Sequence, residues 1–260
     1  MSSGVEVPLT HISSRDNPLI KELRKLSQDS TAYRKQGRVW LEGDHLCRAA
    51  LARGLKPALA VFSESFWPLA NTEWAHVAIK NIVISDALLP EISGLESPAR
   101  MGFVMELPAQ AELLTHTASV ILDRVQDAGN VGSILRSAAA FGFAQVIALK
   151  GTAALWSPKV LRAGMGAHFG LRLVESIEPA ALAALQVPIV VTSSHHGSFL
   201  HQQAIPMPCA WAMGHEGQGV SDDLMARASL KVRIDQPGGE ESLNVAAAAA
   251  ICLYSSSLTR

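Results

Sequence analysis

Three short polar stretches in the second half of the chain carry the side chains best suited to chemistry. They are DAGN with Asn130, followed six residues later by Arg136; GHEGQG with Glu216; and GGEESLN with Glu240, Glu241, Ser242 and Asn244. Asn offers amide donors and an acceptor, Arg a charged fork suited to phosphate or carboxylate, and Ser a hydroxyl, while the interspersed glycines let backbone approach a ligand closely. The exposed amides of the second stretch suit an adenine or a small zwitterion. Metal chemistry is not expected: Cys47, Cys209 and Cys252 are far apart, and His195, His196 and His215 lack partners at ligand spacing. No GxGxxG follows the strand at Ser119 and no Lys-Ser/Thr pair follows Gly219, which disfavours a nucleotide-binding oxidoreductase and an NTPase phosphate loop. Taken singly, Asn130 also reads as a turn residue, Arg136 as a surface helix residue and Glu216 as a solvated loop carboxylate.

The elements around these stretches alternate. From Ser119, SVILDRV reads as a buried strand, QDAGNVGS (126 to 133) as a glycine-bearing loop, ILRSAAAFG as a helix and AQVIALK as a second strand, a βαβ unit. LRLVES, PIVVTSS, CAWAMG and LKVRID continue the strands, predicting an open, mostly parallel sheet flanked by helices whose ligands gather at the carboxyl ends of the strands. The loops 126–133, 214–221 and 236–244 should then meet at one sheet edge. The last of them tightens through Pro237-Gly238-Gly239 and leads into an alanine-rich helix expected over Leu243 to Leu253, capped by Ser242 or Glu241 and, being apolar all round, buried all round.

Before Leu107 the chain reads as a smaller α/β unit. Leu19, Ile20, Leu23 and Leu26 form one apolar stripe on a helix beginning after Asn17-Pro18; strands follow at Arg38–Leu41, Ala58–Phe62, Ile82–Ile84 and Arg100–Leu107, with helices over Asp44–Ala52 and up to Leu89. LPAQAELLTHT marks a boundary, giving domains 1–110 and 117–260. Charge is nearly balanced over the 260 residues, at -1, but residues 1 to 60 hold ten basic against six acidic side chains and residues 61 to 117 two against seven. That asymmetry fits a polyanion such as nucleic acid, and equally a solvated helix face. Reduced thiols and the lack of an apolar leader or a span-length apolar run predict a cytoplasmic protein away from membranes.

Taken together, DAGNVGSILRSAAAFG (127 to 142), AMGHEGQGVS (212 to 221) and RIDQPGGEESLNVAAAAA (233 to 250) resemble, in order, the three motifs of the SpoU (TrmH-like) family of RNA ribose methyltransferases in the SPOUT superfamily. The connecting SPKVLRAGMGAHFGL (157 to 171) is similar too, and ISSRDNPLIKELRKL with GRVWLEGDHLCRAAL resembles the substrate-binding domain that many members carry ahead of the catalytic one. The resemblance implies a SPOUT-type α/β catalytic domain with a parallel sheet and a C-terminal trefoil knot, preceded by a smaller α/β substrate-binding domain. It implies S-adenosylmethionine as cofactor, held at Thr192, Gly214, Gly219, Ile234 and Leu243, and a homodimer with the site completed across the interface. The reaction it implies is methyl transfer to a ribose 2′-hydroxyl of RNA, ribosomal rather than transfer RNA; a transfer-RNA enzyme and a non-catalytic knotted RNA-binding protein are the alternatives. Arg136 would meet RNA ribose and phosphate, Asn130 and Glu216 would position, and Ser242 with Asn244 would face the target hydroxyl. The chain departs from the family at Gly164, His215, Gln236 and Ala246.

Overall fold

The computed structural model describes residues 7–107, 111–193, 197–238 and 242–258. The chain divides into two compact units, one comprising residues up to 109 together with 156–169, the other residues 110–155 and 170–260.

The first unit is a five-stranded sheet in the order β1-β4-β3-β5-β2, formed by β1 (Leu9–Ile12), β2 (Arg38–Glu42), β3 (Leu59–Ser63), β4 (Lys80–Ile84) and β5 (Met101–Glu106). β1 and β3 run parallel to β4, while β5 is antiparallel to both β3 and β2. β1 was not expected: its residues LTHI bury only Ile12, so apolar patterning is weak and pairing to β4 defines it. α1 (Pro18–Gln28) follows its sequence signals closely. Asn17 caps it by accepting from Leu19 N at 2.9 Å, Pro18 occupies the first turn, and Ile20, Leu23 and Leu26 are buried. α2 (Ala32–Gln36), α3 (Asp44–Ala52) and α4 (Trp67–Trp74) complete the unit's regular helices before β5, and the later helix α6 (Pro158–Gly164; α5 lies in the other unit) packs with α1 and β2. The helix expected up to Leu89 is a 3₁₀ segment, Asp86–Ile92, containing Pro90, which lacks the N–H an α-helix needs there.

The second unit positions the site. Its sheet, in the order β10-β12-β9-β11-β6-β7-β8, is parallel throughout: β6 (Ser119–Asp123), β7 (Gln145–Leu149), β8 (Arg172–Ile177), β9 (Ile189–Thr192), β10 (Ser198–Phe199), β11 (Ala210–Gly214) and β12 (Leu230–Arg233). β6, β7 and β11 are buried along their whole length, as expected of central parallel strands covered on both faces. The winding runs outward from β6 through β7 to β8, then restarts beyond the gap with β9, which β11 fills and β12 extends. That reversal is where open α/β sheets collect ligands at their strand ends.

Three expectations fail here for physical reasons. α5 spans Ala128–Ala140, so most of the stretch read as a loop is its first two turns; the Asp127 side chain accepts from Asn130 N at 2.8 Å, and this cap outweighs the two glycines. α8 runs Val245–Ser257, and its cap is neither Ser242 nor Glu241, which with Gly239, Glu240, His195 and His196 lies outside the described residues. The cap is Asn244, whose Oδ1 accepts from Ala246 N at 2.9 Å and Ala247 N at 3.2 Å. Nor is α8 buried all round. Ala249, Cys252, Leu253 and Ser256 are buried, whereas Ala247, Ile251 and Tyr254 share an exposed face. On the buried side Trp211 Nε1 donates to Ser256 Oγ at 2.9 Å, which donates to Cys252 O, pinning α8 to β11. α8 packs against α5, where Tyr254 meets Phe141 edge to face at 5.6 Å. Among the described residues no helix is long and apolar enough to cross a membrane.

Candidate functional site

A cavity of about 620 Å³ opens at the carboxyl ends of β9, β11 and β12. Its wall includes Thr192 at the end of β9, Gly214 at the end of β11 with His215 to Val220 after it, Ile234 and Gln236 after β12, and Ser242, Leu243, Asn244 and Ala248 at the start of α8. All five positions expected for a cofactor, Thr192, Gly214, Gly219, Ile234 and Leu243, therefore line one cavity, and Glu216, Ser242 and Asn244 line it with them. Leu243 is 40% exposed there, an apolar wall left for a flat apolar surface to cover.

The β11 loop closes on itself. His215 N donates to Gly219 O at 3.0 Å and Gly219 N returns a bond to His215 O at 2.8 Å. Gly219 sits at φ +68°, and a Cβ on Gly214 would fall 2.1 Å from Gly219 C. Both positions thus demand glycine, one for its left-handed backbone and one for close chain approach.

Glu216, at the tip of this loop, reaches the start of α5. Its Oε1 accepts from Asp127 N at 3.0 Å and Asn130 Nδ2 at 3.1 Å, and its Oε2 from Gln126 N at 3.2 Å. Partial burial opposes ionisation, but the Asn130 amide and the backbone N–H groups outweigh it and hold the carboxyl below its usual range. Asn130 in turn accepts at Oδ1 from Asn244 Nδ2 at 3.0 Å. One hydrogen-bonded chain, Glu216–Asn130–Asn244, therefore joins the three polar stretches through the N-termini of α5 and α8. Each amide keeps one N–H not used in this chain.

Asn130 and Arg136 do not line the cavity. Asn130 is tied to it through Asn244, whereas Arg136 lies on the exposed face of α5, in line with Gly129 and Ser133, and its guanidinium has no partner among the described residues. Asp123 and Arg124, which no motif in the sequence singles out, brace the loop from beneath. Asp123 is 2% exposed; its Oδ2 accepts from Ser221 N at 2.6 Å and its Oδ1 from Arg124 Nε at 3.0 Å. Arg124 takes φ +60° and donates to Gln218 Oε1 at 3.0 Å. The signal was an ionisable residue closing an otherwise apolar strand, a place where burial demands a partner.

Residues 117–254 match the SpoU rRNA Methylase family, and residues 17–101 match the MRM3-like substrate binding domain. The chain is 30% identical over 252 residues to the 23S rRNA (guanosine(2553)-2'-O)-methyltransferase RlmP of Bacillus subtilis, covering 95% of this chain and 98% of that protein. Among solved structures, an RNA 2'-O ribose methyltransferase superposes with a TM-score of 0.76 at 27% identity, covering 96% of this chain and 98% of the other. The AdoMet-bound rRNA methyltransferase of Sinorhizobium meliloti shares the fold, with a TM-score of 0.82 at 24% identity over 95% and 97% of the two chains.

Proposed function

The chain belongs to the SpoU rRNA methylase family, and we propose that it transfers a methyl group from S-adenosylmethionine to a ribose 2′-hydroxyl of ribosomal RNA. The observation that carries this reading is the coincidence of the cavity with the Glu216–Asn130–Asn244 chain: a cavity of about 620 Å³ opens beside polar groups held in fixed orientation. The cavity also fits the cofactor by its construction, with glycine-only backbone at Gly214 and Gly219 and the exposed apolar wall of Leu243.

When bound, the cofactor supplies an electrophilic methyl on a sulfonium; the carbon–sulfur bond breaks as the carbon–oxygen bond forms and the hydroxyl proton leaves to water. The protein's part is alignment and charge. Ser242 and the free N–H of Asn244 orient the hydroxyl, and alignment of this kind supplies much of the rate in an in-line transfer. Glu216 is a positioning residue, since both of its oxygens are engaged as acceptors and it is held ionised. Arg136 grips an RNA phosphate or stabilises charge on the oxygen through its planar guanidinium fork rather than acting as base.

The cavity lacks Arg136 within one chain, and α8 leaves Ala247, Ile251 and Tyr254 uncovered. Both features support a homodimer in which α8 faces a second copy and the site is completed across the interface. The return of the chain from β12, beyond β9, to α8 beside α5 is consistent with a trefoil knot. The first unit serves as the RNA-docking domain, a role supported by Lys21 and Lys25 beside an open groove of about 670 Å³, in which Arg38 is paired with Glu22 and Glu106.

The test is incubation with methyl-labelled S-adenosylmethionine and total RNA from a strain lacking the protein. Label in ribosomal RNA that resists alkaline cleavage at a single nucleotide is expected. Label confined to transfer RNA, label on a base, or no transfer with no cofactor binding would overturn it.

A further inference from the structure

Among the residues lining the cavity, Gln236 holds an unfinished side chain. Its Oε1 is cut off from solvent and has no hydrogen-bond partner among the described residues, and the residue lines the cavity alongside Thr192, Ile234, Ser242 and Leu243. Of the other buried side-chain atoms without a partner, Gln36 Oε1, Trp40 Nε1 and Asn81 Oδ1 belong to the first unit and Arg233 Nε to the second, and none of these residues lines this cavity. A buried carbonyl oxygen is unfavourable without a donor, and native structures leave few of them. At the wall of a binding cavity, the group that completes it is a group on the ligand.

We propose that Gln236 Oε1 accepts a hydrogen bond from a donor of the bound cofactor, which makes Gln236 a determinant of cofactor affinity. The inference rests on the S-adenosylmethionine reading above. Oε1 only accepts, so its match on the ligand is a donor. The cofactor carries donors of that kind in its adenosine part, the 6-amino group of adenine and the ribose hydroxyls, and in the ammonium of the methionine moiety. No described residue donates to this oxygen, so a donor on the ligand completes it and the site discriminates against ligands lacking that donor, as buried unpaired groups do elsewhere.

Isothermal titration of the wild type, Gln236→Leu and Gln236→Glu with S-adenosylhomocysteine and with 5′-methylthioadenosine tests this. The second ligand keeps the adenine amino group and lacks the ammonium. Gln236→Leu, which has no acceptor, is expected to bind S-adenosylhomocysteine about tenfold more weakly, while Gln236→Glu, which keeps an acceptor oxygen, loses less. The unliganded Gln236→Leu protein should melt no lower than wild type, because no described residue is bonded to Oε1 before binding. Weakening of both ligands assigns the donor to the adenosine part, and weakening of S-adenosylhomocysteine alone assigns it to the ammonium; either supports the proposal. Unchanged affinity of Gln236→Leu for both ligands overturns it, and so does a lowered melting point with equal losses in the two variants, which would mark a structural role. A wild type that binds neither ligand would sink the cofactor reading and this inference with it, a result distinct from unchanged variant affinity.

Discussion

Asn244 Nδ2 donates to Asn130 Oδ1 at 3.0 Å across 114 residues of sequence, and the same Asn244 caps α8 through Oδ1. One side chain therefore sets both the start of a helix and the orientation of a neighbouring amide, and its two roles can be separated. Asn244→Ala removes the cap and the cross-link, and should cost about 1 kcal/mol, or roughly 2–4 °C in melting temperature, together with most of the methyl-transfer rate. Asn244→Asp keeps a capping oxygen but no amide donor. It should melt near wild type while still losing at least about tenfold in kcat, the scale of misplacing one positioning group; paired melting curves and single-turnover rates check this.

Glu216 predicts a pH dependence. Its carboxyl is held below the ordinary value of 4.5. A group with a depressed folded pKa contributes stability that is fully present above the unfolded value and is lost as pH falls through the folded one. The difference in melting temperature between wild type and Glu216→Gln should hold steady from neutrality down to about pH 5 and shrink below about pH 4.5. A difference that instead grew on acidification would assign the stabilisation to another group.

Gly214→Ala places a methyl 2.1 Å from Gly219 C, against backbone that cannot move aside without opening the His215–Gly219 pairing. Cofactor affinity should fall by at least about a hundredfold while the far-UV spectrum stays that of the folded protein, since the loop rather than the sheet gives way. Calorimetric titration beside circular dichroism reads both.

Ser256→Ala leaves the indole N–H of the fully buried Trp211 without its acceptor. The expected loss is about 1–3 kcal/mol in denaturant unfolding, followed through Trp fluorescence, with the cofactor cavity unchanged because neither residue lines it.

Ile251→Asp sets a charge in the exposed apolar face of α8 between Ala247 and Tyr254. If that face meets a second copy, the variant should sediment as a monomer under conditions where the wild type is a dimer, and a buried unpaired charge there would weaken association by about 3 kcal/mol or more. Identical sedimentation of the two proteins would remove α8 from the interface.

Much of the molecule is written in local patterns. The unbroken apolar runs of β6, β7 and β11 announce a parallel sheet covered on both faces, and the Asn17-Pro18 start and Ile20-Leu23-Leu26 stripe announce α1, because short-range capping and burial periodicity depend on neighbours in sequence. The identities of Asn130, Glu216, Ser242 and Asn244 were legible in the same way, as polar groups set among glycines next to strand ends. Where local signals compete, they mislead: the glycines of DAGNVGS suggest a loop, and only the Asp127 cap, held in place beside Glu216, makes it a helix. Three features lie beyond any local pattern. The support that Asp123 gives Ser221, the open face of the alanine-rich α8, and the Oε1 of Gln236, unpartnered among the described residues, each depend on what stands opposite, and that is decided when β11 inserts between β6 and β9 and brings distant loops to one edge. Residue types declare which groups can form hydrogen bonds, while the packing of strands far apart in the chain decides which of them find partners and which are left for a ligand.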